Sequence, residues 1–299
     1  MTHPTKRLVL EKVSRLKGVR DWIVRKLLVR LGSDQEQAGL AELAVSNRDA
    51  IGLDVISDGL YEKDILYLLF DRVLQPYKEK FLNGVAIDVG ANIGNHALFF
   101  SSRFQKVIAF EPNPTAALFL RGNLRLNNSR NVLVYEYGLS NQDRKAHLEI
   151  REHNNLGSAA VSEHDGTEIT LRTLDGTCDN ELADFDVCLI KVDVEGHELA
   201  VLQGAKNLIS TQKPIMMFEV AKKHGSDGAD EIFYFLREQG YKGFYSVARD
   251  YRFPKLKSPW FRALIRLIFG TRYQLSQWEE LDDRFYNCVV ALEREIDWL

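Results

Sequence analysis

The stretch Asp88-Val-Gly-Ala-Asn-Ile-Gly94 decides how this chain is read. It follows the apolar run Val85-Ala-Ile87 and leads into His96-Ala-Leu-Phe-Phe-Ser-Ser102, whose composition suits a helix, so it reads as a strand-to-helix turn. Gly90 and Gly94 carry no Cβ and allow a sharp turn close to a ligand. The helix start that follows offers unpaired N–H groups to a carboxylate or another polar ligand atom. A dinucleotide-binding turn needs a glycine two residues after the first. Asn92 stands there, which disfavours a nicotinamide oxidoreductase.

The next apolar segment, Lys106-Val-Ile-Ala-Phe-Glu111, reads as a strand ending in a carboxylate and followed by Pro112-Asn-Pro114. Glu111 lies 23 residues beyond Asp88, near the ~20-residue spacing at which an acid reaches ribose hydroxyls. The glycine turn, with an acid two residues before Gly90, resembles motif I of class I S-adenosylmethionine-dependent methyltransferases. That resemblance implies that Asp88 receives the methionine ammonium group while the glycine loop passes beside methionine and ribose.

At 299 residues and 45% hydrophobic content, the chain suits one α/β domain of ordinary size plus an extension. A net charge of −3 excludes an electrostatic nucleic-acid binder. Cys178, Cys188 and Cys288 show no metal-ligand spacing and fit a reducing compartment. The start of the chain lacks the unbroken apolar segment of a signal peptide, and no stretch approaches the ~20 apolar residues of a membrane span, so a cytoplasmic location is expected.

Residues 1–48 read as a basic helical extension and 49–299 as the α/β domain. Within the extension, residues 5–31 interleave Leu8, Val13, Leu16, Trp22, Ile23, Leu27 and Leu28 with nine basic residues against Glu11 and Asp21. Such a helix packs on the core or on a second subunit, or lies on an anionic inner membrane surface. Residues 49–57 are expected as a strand, from the rough alternation of Ile51, Leu53, Val55 and Ile56, and Gly59-Leu-Tyr61-Glu62 as the opening of a helix. A third strand, 131–136, would carry Gly138-Leu-Ser140 to the adenine side. Two β-like segments, 146–150 and 168–172, joined through the polar loop Asn154 to Ser158, predict a hairpin inserted into the sheet at about 140–175. Residues 250–284 read as an insertion outside the sheet, with a helix from Ser258 to Gly270, and 285–292 as an antiparallel closing strand.

The clearest buried strand is Asp186-Val-Cys-Leu-Ile-Lys-Val192, which runs into Asp193-Val-Glu-Gly-His-Glu198. In an open parallel sheet its carboxyl end faces the same crevice as the Asp88 turn, and three ionisable groups there suggest acid-base work. Glu198 suits the first turn of the following helix. Ile215 to Glu219 is a fifth strand that also ends in an acid aimed at the crevice.

Taken together, Gly59 to Glu62, Asp88 to Gly94, Phe110 to Pro114, Gly138 to Ser140, Thr173-Leu-Asp175, Ile190 to Glu198 and Val201-Leu-Gln-Gly204 resemble the FkbM family of methyltransferases. The resemblance implies a Rossmann-like class I methyltransferase fold: a mostly parallel seven-stranded sheet with an antiparallel last strand and helices on both faces. It also implies S-adenosylmethionine as cofactor and a hydroxyl-bearing acceptor. The expected cofactor side is Asp88, Gly90, Asn92, Gly94, Asn95, Glu111, Pro112, Asn113, Gly138, Leu139, Ser140 and Asp193. Asp193, Glu195 or His197 is expected to take the hydroxyl proton, with Tyr61, Glu62, Asn155, Ser158 and Glu219 on the acceptor. A sugar of a polysaccharide or glycolipid is the first expectation for that acceptor, and a polyketide or other secondary metabolite the second. A magnesium-assisted site on the carboxylates and a non-catalytic membrane scaffold are the rivals. No metal site is assigned, and a homo-oligomer is left open.

Overall fold

The computed structural model describes residues 15–47, 50–150, 159–162, 165–177, 185–220, 229–250, 272–280 and 286–296. The chain opens with α1 (Arg15–Gln37), α2 (Ala50–Asp58), α3 (Lys63–Leu68) and α4 (Lys78–Asn83). It then alternates β1 (Val85–Val89), α5 (Asn95–Ser101), β2 (Lys106–Phe110), α6 (Pro114–Leu126) and β3 (Val132–Tyr135). Four short strands follow, β4 (Gly138–Leu139), β5 (Arg144–Ile150), β6 (Ala159–Ser162) and β7 (Thr167–Arg172), then α7 (Leu174–Thr177). The second half is β8 (Val187–Val192), α8 (Glu198–Gln203), α9 (Lys206–Gln212), β9 (Ile215–Val220), α10 (Ala229–Glu238), β10 (Gly243–Asp250), β11 (Arg272–Gln277) and β12 (Tyr286–Leu292).

The main sheet has the order β11-β10-β12-β9-β8-β1-β2-β3. β1 pairs in parallel with β2 and β8, β2 with β3, and β8 with β9, whereas β12 runs antiparallel between β9 and β10. The chain leaves β1 towards β2 on one side and returns as β8 on the other. The carboxyl ends of β1 and β8 therefore bound the crevice at the topological switch point.

Both faces of the sheet are covered, so its central strands are largely apolar, with Asp88 of β1 and Lys191 of β8 buried among them. Val85, Ile87 and Val89 face a layer that includes Val201, Leu202, Ile209, Phe233 and Leu236 of α8, α9 and α10. Ala86 faces the other layer, where Leu66, Phe99, Phe100 and Leu120 of α3, α5 and α6 pack. Every position of β8 is buried, including Lys191.

Four sequence expectations are corrected. Residues 50–58 are helix, not strand: Val55 is buried whereas Leu53 stands 54% exposed, so the apolar residues mark one helical face. The main sheet has eight strands, not seven, because Arg272–Gln277 joins β10 antiparallel although residues 250–284 were expected outside the sheet. Its alternating Tyr273 and Leu275 pack on the core and carry the period-two signal. The hairpin is not inserted into the main sheet; β4, β7, β5 and β6 form a second sheet of their own. The expected helix at 258–270 and residues 5–14 of the N-terminal helix lie outside the described residues.

Residues 35–44 are fastened to α2 and α6 through side-chain amides. Gln35 Nε2 donates to the carbonyl of Ile56 at 2.9 Å. Asn123 Oδ1 accepts from the Ala44 N–H at 2.7 Å, and its Nδ2 donates to Ala44 and Ile93 carbonyls at 3.2 and 2.8 Å. Asn127 binds the N–H and carbonyl of Glu42 in the same way, at 2.9 and 2.7 Å.

Candidate active site

β1 ends at Val89 and the chain turns at once, with Gly90 (φ 75°), Asn92 (φ 49°) and Gly94 (φ 91°) all left-handed. The Gly90 and Ala91 N–H groups both donate to Phe110 O at 3.0 Å, folding the turn over the end of β2. A Cβ at Gly90 would stand 1.9 Å from the carbonyl oxygen of Asp193. Only glycine therefore lets the β1 and β8 loops meet.

A cavity opens above this junction. It is lined by Gly90, Asn92, Phe110, Glu111, Pro112, Gly138, Leu139, Asp193, Glu195, His197, Tyr61 and Glu219, with Ile51 of α2 and with Leu148, Val161 and Leu171 of the small sheet. Eleven expected site residues thus meet there. Asp88, Gly94, Asn95, Asn113, Ser140 and Glu62 are set back from the lining, and Asn155 and Ser158 lie outside the described residues.

Glu111 lines the cavity just beyond the end of β2. Its Oε2 accepts from the Asn92 N–H at 2.7 Å and its Oε1 from the Asn113 N–H at 2.8 Å. Burial pushes its carboxyl up to about 7, against the pull of the Asn113 and Asn92 N–H bonds. Each oxygen keeps a lone pair for a ligand hydroxyl. Asn113 also caps α6 by accepting from the Thr115 N–H at 3.0 Å.

Asp88 is fully buried and turns to Lys191, its direct neighbour in the β1–β8 register. The Lys191 ammonium lies 3.1 Å from Asp88 and 3.4 Å from Asp193, and donates to Gly90 O at 3.0 Å. Burial disfavours that charge, but the two carboxylates more than reverse it and hold the amine protonated. Sequence reasoning passed over Lys191; a lone lysine within a buried parallel strand was the signal, since such a charge requires a partner.

Other expected residues hold neighbours in place. Asn95 Oδ1 accepts from the Tyr61 N–H at 2.9 Å and its Nδ2 donates to Tyr61 O at 3.2 Å, fixing the turn that presents Tyr61. Glu62, in a left-handed conformation, lies 3.6 Å from His96 Nε2. Glu198 does more than favour a helix start: its Oε1 accepts from Val194 and Gly196 N–H at 3.2 and 3.0 Å. These bonds tie down a turn in which Glu195 (φ 56°) and Gly196 (φ 96°) are both left-handed. Asp175 accepts from the Asn207 and Leu208 N–H groups at 2.9 Å and so caps α9.

His197 Nε2 is 2.9 Å from Ser140 Oγ, at the β4 end of the cavity. Tyr61, Asp193, Glu195 and Glu219 gather in one part of the cavity, with Glu62 behind. Burial first, and then Asp193, Glu62 and Glu195, push the Glu219 carboxyl well above the carboxylate range. Burial and Glu62 likewise raise the Tyr61 phenol, which stays a hydrogen-bond donor. Among the described residues no group of three His, Cys, Asp or Glu side chains is placed to hold a metal ion. Cys188 and Cys288 are buried and unpaired, and Cys178 lies outside the described residues.

The donor set suits S-adenosylmethionine. Glu111 could offer oxygen to ribose hydroxyls, Phe110, Pro112 and Leu139 offer apolar walls, and the buried Asn92 Oδ1 has no hydrogen-bond partner among the described residues. A parallel sheet with an antiparallel β12, and this cavity at the switch point, define a class I S-adenosylmethionine-dependent methyltransferase. The chain belongs to the FkbM family, matching the Methyltransferase FkbM domain over residues 88–242. It is similar to Hexuronic acid methyltransferase AglP of Haloferax volcanii, with 32% identity over 212 residues, 68% of this chain and 80% of that protein. It is also similar to Methyltransferase sdnD of Sordaria araneosa, with 32% identity over 158 residues, 41% of this chain and 60% of that one. Among solved structures, Methyltransferase FkbM from Methylobacillus flagellatus KT matches at 18% identity and a TM-score of 0.41, covering 70% of this chain and 43% of the other.

Proposed function

We propose that this methyltransferase acts on a hydroxyl oxygen, and that its acceptor is a sugar. The observation that carries this reading is the polar acceptor end, where Tyr61, Asp193, Glu195 and Glu219 converge on one side of the cavity. Several carboxylates and one phenol donor suit a polyhydroxylated ring, whose hydroxyls donate to carboxylates and accept from the phenol. The similarity to a protein named for hexuronic acid methylation supports the same class of acceptor.

Bound in the cofactor half, S-adenosylmethionine supplies a methyl group on a cationic sulfur. Glu111 and Asn92 would hold its polar groups, and Phe110, Pro112 and Leu139 would supply apolar walls around it. Asp193, anchored by Lys191, and Glu195, held by the turn that Glu198 ties, orient the acceptor for in-line approach, where positioning supplies most of the acceleration. Glu219, once ionised, would take the hydroxyl proton as the oxygen–methyl bond forms and the methyl–sulfur bond breaks, since burial among like charges makes its carboxylate basic. His197, engaged by Ser140, stands nearer the cofactor.

The test is transfer from labelled S-adenosylmethionine to a panel of free and lipid-linked sugars, for the wild type and for Glu219→Gln. A methyl ether product is expected, with turnover lowered about 10²–10⁴-fold in the variant and S-adenosylhomocysteine binding by calorimetry unchanged. Turnover should rise with pH in the wild type, as Glu219 loses its proton, and less so in the variant. Full turnover by Glu219→Gln at saturation removes it as the base. A product methylated on nitrogen or carbon overturns the hydroxyl reading.

A further inference from the structure

Of the thirteen large apolar side chains that stand open to solvent among the described residues, seven belong to α1. They include Trp22 at 62% and Val29 at 67% exposure. A helix of a globular domain ordinarily buries such a set. At 100° per residue, Val19, Trp22, Ile23, Lys26, Val29 and Arg30 fall on one stripe, so two cations stand among four apolar groups, all of them exposed. Over residues 15–31 the sequence places six basic residues against Asp21 alone, whereas the whole chain is net negative.

From this we infer that α1 is a docking helix for an anionic lipid surface. The stripe's chemistry selects that occupant. A second copy laid parallel and in register against it, or about a two-fold axis between Lys26 and Arg30, would bring these cations together, a like-charge contact that costs rather than stabilises. A bilayer with acidic headgroups accepts both components: the cations meet the phosphate layer while Trp22 and the aliphatic groups enter the boundary with the acyl chains. No helix among the described residues is long and apolar enough to cross a membrane, so the contact is peripheral.

The anchor is coupled to the cavity. The far end of α1 is fastened by Gln35 to α2, whose Ile51 lines the cavity. A Cβ at Gly59 would touch Leu40 at 2.5 Å and Gln35 at 3.0 Å, so the same end abuts the turn that presents Tyr61. A helix lying on lipid thereby holds the acceptor side near the surface, within reach of a lipid-linked sugar. That last step rests on the proposed acceptor; the lipid contact itself does not.

Co-sedimentation of the full-length protein with vesicles tests the contact without reference to catalysis. Binding is expected to vesicles of phosphatidylcholine with phosphatidylglycerol, to weaken in high salt, and to be far weaker with phosphatidylcholine alone. Each surface cation contributes about fivefold in partitioning, so Lys26→Glu/Arg30→Glu should lower binding by at least about 25-fold. Trp22→Ser should lower it while leaving S-adenosylhomocysteine binding intact, which shows that the domain is folded. Failure of the wild type to bind anionic vesicles overturns the inference. So does a salt-resistant dimer in sedimentation equilibrium that Trp22→Ser dissociates, which assigns the stripe to a second copy.

Discussion

Replacing Lys191 by methionine should expose how the switch point is held. The substitution keeps volume and removes a charge that lies 3.1 Å from the fully buried Asp88. At an effective dielectric of ~20 the direct attraction is about 5 kcal/mol, an upper limit on what the pair loses. A second ceiling is chemical, since a stranded carboxylate can take up a proton. For an unperturbed aspartate at pH 7 that uptake costs about 4 kcal/mol. Lys191→Met should therefore lose about 3–4 kcal/mol at pH 7, within the range for breaking a buried pair. Because protonation becomes easier in acid, the loss should shrink by about 1.4 kcal/mol per pH unit on going down to pH 5. The assay is urea unfolding followed by circular dichroism at both pH values, for Lys191→Met, Asp88→Asn and the double variant. The double variant strands neither group and should be more stable than the sum of the single losses implies, by about 2 kcal/mol or more. A Lys191→Met protein within about 1 kcal/mol of wild type, or a double variant whose loss is strictly additive, would refute the account.

Glu111 gives a second signature with a definite sign. Burial lifts its folded pKa to about 7, above the unfolded carboxylate, so the folded state binds the extra proton. Its contribution to stability is present in acid and is lost as pH rises towards 7. Thermal unfolding without cofactor should show this slope, and Glu111→Gln should flatten it while weakening S-adenosylhomocysteine binding; an unchanged slope rejects the assignment. Glu198→Ala leaves the Val194 and Gly196 N–H groups without their acceptor and should cost about 1–3 kcal/mol and lower turnover more than cofactor affinity. Glu198→Gln, which keeps a carbonyl oxygen, should recover most of both, and equal damage from the two variants would place the effect elsewhere.

Much of this was legible in the sequence because local constraints agreed with the global fold. The glycine turn, the Glu111 strand end and the apolar β8 each carry a period or a spacing that suits a parallel sheet, and the structure brings all three to the switch point. Residues 50–58 misled because four apolar residues over six positions fit either a strand or a helix face, and tertiary packing of Val55 decided between them. The small sheet was half seen: β5 and β7 alternate, but their partnership with β4 and their apolar lining of the cavity through Leu148 and Leu171 depend on contacts distant in sequence. Lys191 was missed, and the hold of Asn95 on the Tyr61 backbone was not foreseen, for a related reason. A sequence shows that a polar residue is present, not that it is turned inward to hold another.

The amide contacts between α6 and the N-terminal segment act as a ruler. Asn123, in the last turn of α6, and Asn127, its C-cap, stand about 6.0 Å apart along the helix axis, and they grip Ala44 and Glu42, two residues apart and so separated by up to about 6.6 Å. The two spacings coincide closely enough for both peptides to be read at once, and only in one register. Sliding the segment by a single residue would present neither amide with its peptide. An insertion or deletion within residues 42–44 would break that register, whereas a change in residues 38–41, between the clamp and α1, would leave it intact.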